Sequence, residues 1–269
     1  MQGDLKYLKH LARQGKGYLH PYGKAATDNL IDALKIENGN KLLEIGCGTG
    51  VTMVRILSIY VVTIDGIDIL PEMLNKARAR LTFTGLKNRG KVYEYSGNQV
   101  FPFKNNFYDR VYAESVLGFQ SEQDAKNLLR EAHRVLKQGG LFAANDAVWI
   151  KNIPREEIER IYKSSLDDFG LAPASEQPWT ADDWMNLFKE AGFEILSSDL
   201  LSDVPETKKR DSKKYIKRYF SEILTRYFCL KSRFIPSERR ESFNFKKLLD
   251  KHSDDGKYIE SRLFILKKN

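Results

Sequence analysis

The residues Leu42-Leu43-Glu44-Ile45-Gly46-Cys47-Gly48-Thr49-Gly50 join a short apolar strand to three glycines at alternate positions. Glycine lets the backbone turn sharply and approach a ligand without a Cβ atom in the way. A helix is predicted to follow through about Ser58, and the start of a helix offers free N–H groups. The spacing differs from the G-x-G-x-x-G of dinucleotide-binding folds, and no Gly-Lys-Ser/Thr follows. The pattern therefore predicts a ligand-binding loop of another kind.

Outward from this loop, strand-like and helix-like runs alternate. Strands are predicted at 41–45, 60–67, 92–95, 108–113, 141–148, from 193 and at 258–266, and helices at 27–34, 71–81, 121–136, 154–169 and 180–191. Gly139-Gly140 is predicted to end the helix at 121–136. The alternation predicts an α/β fold with a parallel sheet covered on both faces. Ligands bind such sheets at the carboxyl ends of the strands, which directs attention to the loops after strands one to four.

The charge of the chain is concentrated in one segment. The formal net charge is +8, and residues 205–250 hold 14 basic and 6 acidic side chains, which leaves 30 of each elsewhere. A neutral body with one basic segment does not resemble a whole-surface nucleic-acid binder. Cys47 and Cys229 lie 182 positions apart and predict neither a disulfide scaffold nor a metal site. With no signal peptide or membrane-spanning run in the sequence, a cytoplasmic location is expected.

An acidic residue closes the second predicted strand. Asp68 lies 18 residues beyond Gly50. A carboxylate at such a position can accept both ribose hydroxyls of a nucleoside, as it does in dinucleotide-binding folds. Asp65 lies inside the strand and is expected to be a solvated or capping carboxylate instead.

These segments resemble the class I S-adenosylmethionine-dependent methyltransferases. Glu44, Gly46, Gly48 and Gly50 stand at the fixed positions of the family's motif I, [D/E]-x-G-x-G-x-G, and residues 61–74 resemble its V-x-G-[IV]-D-x-S-P-E-M-L segment. Further matches carry the resemblance over 21–193, most closely to the branch that holds sterol and quinone C-methyltransferases and many small-molecule enzymes. The resemblance implies a Rossmann-like seven-stranded sheet with an antiparallel last strand and a helical lid insertion. It also implies S-adenosyl-L-methionine as cofactor, S-adenosyl-L-homocysteine as product, and no metal.

The resemblance also assigns the cofactor site residue by residue. The predicted cofactor-binding residues are Tyr22, Glu44, Gly46, Cys47, Gly48, Gly50, Asp68, Ile69, Met73, Gly97, Asn98, Gln99, Glu114 and Ser115. Ile69 is expected to pack on adenine, and Tyr22 to face the sulfonium from an N-terminal lid. Asn98 stands where the family usually has an acid, and its amide oxygen can still accept a hydrogen bond from the adenine amino group.

Two residues are candidates for catalysis. His20 is the only histidine near the predicted site and is a candidate general base, although a surface histidine beside a proline turn is an equally good interpretation. Glu114, after the fourth strand, is expected either to orient the cofactor or to hold an acceptor proton, or else to face solvent or pair with an arginine. A general base is required only if the acceptor must lose a proton.

The chain is predicted to be one domain over 1–269. It divides into an N-terminal arm at 1–26, a cofactor-binding core at 27–200, a basic amphipathic helical insertion at 201–252 and a final strand at 253–269. Apolar residues from 215 to 228 recur on one wide helical stripe. Three interpretations stay open: a lid helix packed on the body, a membrane-surface helix at 208–231 that collects a lipid acceptor, or an RNA-binding face.

The predicted function is methyl transfer by in-line displacement to a small or lipid-like acceptor. A nucleic-acid methyltransferase is the alternative enzyme, but residues 113–116 lack the Asn/Asp-Pro-Pro-Tyr/Phe signature of amino-group nucleobase methylation. A catalytically inactive module that binds the cofactor is the third possibility. The sequence leaves the acceptor atom and the oligomeric state open.

Overall fold

The computed structural model describes residues 3–96, 100–204 and 216–269. Its centre is a seven-stranded sheet with the order β3-β2-β1-β4-β5-β7-β6. The strands are β1 (Lys41–Ile45), β2 (Thr63–Asp68), β3 (Gly90–Glu94), β4 (Tyr108–Glu114), β5 (Leu136–Trp149), β6 (Phe193–Leu200) and β7 (Ile259–Lys268). Neighbouring strands from β3 to β5 are parallel, and β7 is antiparallel to both β5 and β6. The predicted mostly parallel sheet with an antiparallel last strand is confirmed.

Nine helices surround this sheet in the described part of the chain. They are α1 (Lys6–Arg13), α2 (Gly23–Ala33), α3 (Val51–Ile59), α4 (Pro71–Phe83), α5 (Glu122–Val135), α6 (Arg155–Phe169), α7 (Ala181–Glu190), α8 (Ile216–Arg233) and α9 (Pro236–Lys251). Among the described residues, no helix combines the length and the apolar character needed to cross a bilayer.

Helices cover both faces of the sheet. Adjacent residues of a strand point to opposite faces, so each strand contributes side chains to both helical layers. Leu43 of β1 joins the apolar cluster that includes α5 and α7, whereas its neighbour Leu42 joins the cluster that includes α2, α3 and α4. Val111 and Tyr112 of β4 divide in the same way. Continuous apolar strands between two helical layers are typical of parallel sheets, and the parallel pairing places the carboxyl ends of β1 to β5 at one edge.

The predicted end of the helix at 121–136 is wrong. Helix α5 ends at Val135, and Leu136 already pairs with Tyr108 as the first residue of β5. The next pair joins Leu141 to Arg110, so four residues of β5 face one residue of β4. Gly139 has a φ of +72° within this irregular stretch. The glycine pair therefore shapes a bulge inside a strand instead of ending a helix.

The described part of the predicted helical insertion at 201–252 contains two helices, α8 and α9. Helix α8 does pack on the body, but of the predicted stripe Phe228 contacts α4, through Lys76, while much of the stripe faces away. Ser221 and Ser232 are buried, whereas Tyr219 and Tyr227 of the stripe are exposed. Residue 215, the first of the predicted stripe, lies outside the described residues.

Candidate active site

A cavity opens at the carboxyl edge of the sheet where β1 lies between β2 and β4. Its walls come from the glycine-rich loop after β1, the ends of β2 and β4, and residues 16–20 of the N-terminal arm. Chain connections leave β1 toward β2 on one side and reach β4 on the other, so this is the switch point at which α/β sheets bind ligands.

The three glycines of the loop are required for different structural reasons. All three adopt positive φ angles, between +50° and +74°. A Cβ atom on Gly46 would lie 2.4 Å from Val116, and one on Gly50 would lie 3.0 Å from the Cβ of Ala77 in α4. A Cβ on Gly48 would meet only the sulfur of Met73, at 4.0 Å. Gly46 and Gly50 thus permit close packing, while Gly48 lines the open part of the loop.

The loop is tied to the end of β2 through Asp68. One carboxylate oxygen accepts the N–H of Gly48 at 2.8 Å, and the other accepts the N–H of Leu70 at 2.9 Å. Burial raises the pKa of Asp68 to about 6, although the backbone hydrogen bonds act in the opposite direction. Asp65 accepts the hydroxyl of Tyr108 at 2.8 Å and does not line the cavity. Of these two carboxylates, only Asp68 is placed to contact a ligand.

Glu44 lies beneath the loop as a second buried carboxyl group. It lines the cavity and accepts the hydroxyl of Tyr112 at 3.0 Å. Burial raises the pKa of Glu44 well above its usual value, and the negative charge of Glu114 adds to this shift. An acidic group held in this way can pair with a cationic ligand group that enters the cavity.

His20 and Glu114 form a buried pair in the wall of the same cavity. The Nε2 atom of His20 lies 2.9 Å from a carboxylate oxygen of Glu114, and the two side chains are 4% and 7% exposed. Thr27 donates its hydroxyl to the same carboxylate at 2.6 Å, and Thr52 donates to its second oxygen at 2.7 Å. The arm and β4 therefore meet in a hydrogen-bonded cluster.

The pKa values of this pair move in opposite directions. Burial lowers the pKa of His20, but the hydrogen bond and the charge of Glu114 outweigh burial, so the pKa lies above its usual value. Burial raises the pKa of Glu114, but His20, Thr27 and Thr52 together hold it below its usual value. The pair therefore favours an imidazolium beside a carboxylate. Both nitrogens of His20 have partners, because in this charged form the Nδ1–H group donates to the carbonyl of Pro21 at 3.1 Å.

Most of the predicted site residues lie around this cavity. The lining includes His20, Glu44, Gly46, Cys47, Gly48, Asp68, Ile69, Met73, Glu114 and Ser115. Gly50 does not line it and instead permits α3 to approach α4. Tyr22 lines a neighbouring cavity. Gly97, Asn98 and Gln99 lie outside the described residues.

The arm contributes more of the wall than the sequence indicated. Lys16, Gly17, Tyr18 and Leu19 line the cavity, and the carbonyl of Lys16 accepts the hydroxyl of Thr49 at 2.8 Å. A Cβ on Gly17 would lie 2.3 Å from Val51, so only glycine lets the arm approach α3 this closely. Gly15-Lys16-Gly17 is the one sequence signal that marks this stretch, and it matches no known motif.

A second cavity of about 590 Å³ adjoins the first. Leu19, Ser115 and Phe119 line both cavities, so the two are in contact. This volume falls within the range of about 300–1,000 Å³ that is usual for small-molecule sites. Its described lining includes Phe169, Leu171 and other apolar residues, and it contains no lysine or arginine.

The acidic residues of the second cavity already have partners. Asp146 accepts the N–H groups of Val116, Leu117 and Gly118 at 2.7–3.0 Å. Asp255 pairs with Arg160 at 2.8 Å, and Glu260 pairs with Arg262 at 2.5 Å. These carboxylates therefore shape the wall, and the cavity is suited to a neutral, largely apolar molecule.

Arg80 joins the glycine loop to the arm and to α8. This fully buried side chain donates to the carbonyl of Thr49 at 2.9 Å, to that of Gly15 at 2.7 Å and to that of Ser221 at 2.6 Å. Burial lowers the pKa of Arg80 to about 10. Within the described part of the chain, its hydrogen bonds are to backbone carbonyls and hydroxyls and none is to a carboxylate.

Replacing Arg80 with methionine is expected to lower the free energy of unfolding by about 3 kcal/mol or more, because several buried carbonyls lose their donor. The unfolding midpoint should fall by roughly 6–12 °C in a calorimetric scan. Arg78→Met is the matched control, since Arg78 is exposed on the same helix, and its effect should stay within about 0.5 kcal/mol. Equal effects of the two substitutions would contradict the linking role of Arg80.

Comparisons with known proteins agree with this geometry. Residues 42–140 match a family model described as a methyltransferase domain. An uncharacterized protein of Haemophilus influenzae is 31% identical over 183 residues, which cover 68% of this chain and 70% of that protein. The 27-O-demethylrifamycin SV methyltransferase of Amycolatopsis mediterranei is 28% identical over 169 residues, 58% of this chain and 61% of that enzyme.

A solved structure extends the similarity to the whole fold. The S-adenosylmethionine-dependent methyltransferase of Thiobacillus denitrificans, solved with S-adenosyl-L-homocysteine, superimposes with a TM-score of 0.64 at 15% identity. The match covers 96% of this chain and 97% of that one. The sequence matches, in contrast, span about 60–70% of the length of the two relatives above.

Proposed function

The chain belongs to the class I S-adenosyl-L-methionine-dependent methyltransferases, and from this premise we propose that it methylates a small, neutral, largely apolar acceptor bound in the second cavity. The observation that carries the proposal is the contact between two cavities at the carboxyl edge of the sheet. One holds the carboxylate and glycine loop suited to a nucleoside, and the other has the size and the wall of a small-molecule site.

The residues of the first cavity fit the cofactor. S-adenosyl-L-methionine supplies a methyl group that is activated by a positively charged sulfur. Asp68 would accept the ribose hydroxyls, since its backbone bonds to Gly48 and Leu70 hold the carboxylate in place. Ile69 offers an apolar surface beside it, and Glu44 offers a buried acidic group to the amino end. The arm then excludes water from this site, which favours transfer over side reactions.

The second cavity favours acceptors without an anionic group. A phosphate or carboxylate would need a cationic partner, and the described lining of this cavity has no lysine or arginine. Its one histidine, His252, already contacts the carboxylates of Asp168 and Asp255 at 2.8 and 2.7 Å. Its carboxylates are compensated by partners outside the cavity, so they do not require a cationic acceptor either. One relative is named 27-O-demethylrifamycin SV methyltransferase, which is in keeping with a small-molecule acceptor.

His20 and Glu114 support an acceptor that loses a proton. In its neutral form His20 donates its Nε2–H group to Glu114, which leaves Nδ1 as the basic atom. Nδ1 can take the proton from a hydroxyl or amine that replaces its contact with Asn145, and Glu114 then stabilises the imidazolium that results. His20 lines the first cavity, and the next arm residue, Pro21, lines the second. The pair is thus close to the boundary that the methyl group must cross. Correct alignment of the acceptor supplies the rest of the rate acceleration.

An acceptor panel tests this proposal. We expect neutral phenols, hydroxylated polyketides and uncharged amines to yield S-adenosyl-L-homocysteine. Matched analogues that keep the acceptor hydroxyl or amine free, but carry a phosphate ester on a second hydroxyl, should be turned over at least 100-fold less efficiently in kcat/KM. The reason is that a buried, unpaired phosphate costs several kcal/mol. Formation of S-adenosyl-L-homocysteine is the measured quantity. A preference for the phosphorylated member of each pair would contradict the assigned acceptor class.

A further inference from the structure

Helix α8 exposes a continuous apolar face. Ile216, Tyr219, Phe220, Ile223, Tyr227 and Leu230 follow the spacing i, i+3, i+4, i+7, i+11 and i+14, which places them on one side of the helix. Ile216, Tyr219, Tyr227 and Leu230 are between 53% and 65% exposed. We call this set the aromatic face. Phe234, directly after the helix, is 79% exposed and extends the face by one more residue.

The body of the protein is packed against the opposite side of α8. Ser221 and Thr225 receive hydrogen bonds from Arg80 at 2.8 and 2.9 Å, and Ser232 is buried farther along the same side. Phe228 also contacts the body, because its ring centroid lies 3.7 Å from Nζ of Lys76 in α4. The helix is therefore anchored by these residues, and the aromatic face points away from the body. Soluble proteins rarely expose a continuous apolar patch of this kind, and such patches mark interaction sites.

Basic side chains flank the aromatic face on both sides. Arg226 and Arg233 lie along one edge and Lys217 and Lys231 along the other, according to their helical spacing. Residues 216–251, which contain α8 and α9, hold ten basic and four acidic side chains, a net charge of +6. An apolar stripe bordered by cations is the pattern of helices that lie in the surface of an anionic membrane.

We propose that α8 docks on an anionic phospholipid bilayer, with its axis in the plane of the membrane surface. The aromatic face would enter the boundary between headgroups and acyl chains, and the flanking cations would contact lipid phosphates. Phe83 of α4 lies edge-to-face with Phe220 at 6.0 Å, so the apolar contact extends beyond α8.

Charge favours a lipid surface over the other possible occupants. In a symmetric dimer through this face, two copies of α8 would meet, each with five basic and one acidic side chain over 216–233, and like charges at an interface weaken association. Single-stranded RNA binding relies on cations placed among stacking aromatic rings along the strand. Here the cations lie at the edges and the middle of the face is apolar.

Cosedimentation with vesicles tests this assignment on the full chain. One vesicle type is phosphatidylcholine alone, and the other contains phosphatidylcholine and phosphatidylglycerol at a ratio of about 7:3. We expect the wild type to bind the anionic vesicles and to be released by salt. The double variant Tyr227→Ser/Leu230→Ser should lower the partition coefficient at least tenfold, because binding scales with the apolar area that is buried. Arg226→Gln/Lys231→Gln should lower it about fivefold for each charge removed.

Two controls separate docking from a loss of structure. Val61→Ser removes an apolar side chain that is 67% exposed elsewhere on the body, and it should leave the partition coefficient unchanged. The α8 variants should also keep the unfolding midpoint of the wild type, since the residues that anchor α8 are untouched. Absence of vesicle binding by the wild type, or equal binding to both vesicle types, would overturn the proposal.

Two other results would assign the face to a different occupant. A dimer that is seen by light scattering and is dissociated by Tyr227→Ser/Leu230→Ser, without vesicle binding, would overturn the proposal in favour of a second copy. Salt-sensitive binding of oligouridylate that the same variant abolishes, again without vesicle binding, would overturn it in favour of RNA.

Discussion

The Asp68→Ala variant should bind S-adenosyl-L-homocysteine about 100-fold more weakly than the wild type. The carboxylate of Asp68 is held by the N–H groups of Gly48 and Leu70, which orients it toward the cavity. Hydrogen bonds from ribose hydroxyls to a charged acceptor contribute about 1.5–3 kcal/mol each, and the loss of about 3 kcal/mol corresponds to roughly 100-fold in affinity. Titration calorimetry measures this difference directly.

Asp65→Asn is the matched control for this substitution. Asp65 lies in the same strand, but its carboxylate accepts the hydroxyl of Tyr108 and does not line the cavity. The amide oxygen of asparagine can still accept that hydroxyl, so ligand affinity should change by less than about threefold. A similar loss of affinity in both variants would mean that Asp68 acts through folding and is not a ligand contact.

The pKa of Asp68 adds a test of the same contact. Since burial raises this pKa to about 6, the carboxylate is protonated as the pH falls through 6 in the free protein. The protonated form accepts the ribose hydroxyls poorly, so affinity should decline by up to about tenfold between pH 6 and pH 5. Asp68→Asn should lack this decline. Glu44 also lines the cavity and has a raised pKa, so any change of affinity with pH that comes from Glu44 should remain in the Asp68→Asn variant.

The second large effect is expected at the buried pair. His20→Gln and Glu114→Gln should each lower kcat by about 100- to 1,000-fold with an acceptor that must lose a proton. Affinity for S-adenosyl-L-homocysteine should stay within about threefold of the wild type for His20→Gln, since this change removes the proton acceptor but not the nucleoside contacts. Steady-state kinetics and calorimetry on the same preparations separate the two quantities.

The pH dependence of kcat tests whether His20 acts as the base. The hydrogen bond and charge of Glu114 raise the pKa of His20 above its usual value, so His20 is protonated and inactive as a base at low pH. Activity of the wild type should therefore rise with pH through the pKa of His20 and then level off. His20→Gln should show no such rise. His133→Gln, at a histidine that contacts Phe193 outside the site, should retain it. Retention of kcat within threefold in His20→Gln would rule out this role.

Local sequence patterns predicted most of the residues that line the first cavity. The glycines and Asp68 follow from the needs of a tight loop and of a ribose acceptor, and both needs are visible in a short stretch of sequence. Glu114 and His20 were named as candidates, but their pairing was not, because it joins the arm to β4 across 94 positions. Thr27 and Thr52, which complete the cluster, carry no signal of their own.

The orientation of α8 shows why some features of the fold cannot be predicted from the sequence. Periodicity indicates that a helix has an apolar stripe, but it does not tell which side the body occupies. That choice depends here on Arg80 of α4, which lies fully buried and needs the carbonyls and hydroxyls of α8. The bulge at 137–140 is a similar case, because the register between β4 and β5 decides it and the glycine pair alone does not.

Thermal unfolding of the wild type with and without S-adenosyl-L-homocysteine is the most direct test of the central claim, which is that this cavity holds the methyl donor and its product. At about 100 times the dissociation constant, binding should stabilise the protein by roughly 2.7 kcal/mol. For a domain of this size the unfolding midpoint should then rise by about 5–10 °C. An unchanged midpoint at millimolar ligand, in a protein that unfolds cooperatively, would contradict the assignment of this site.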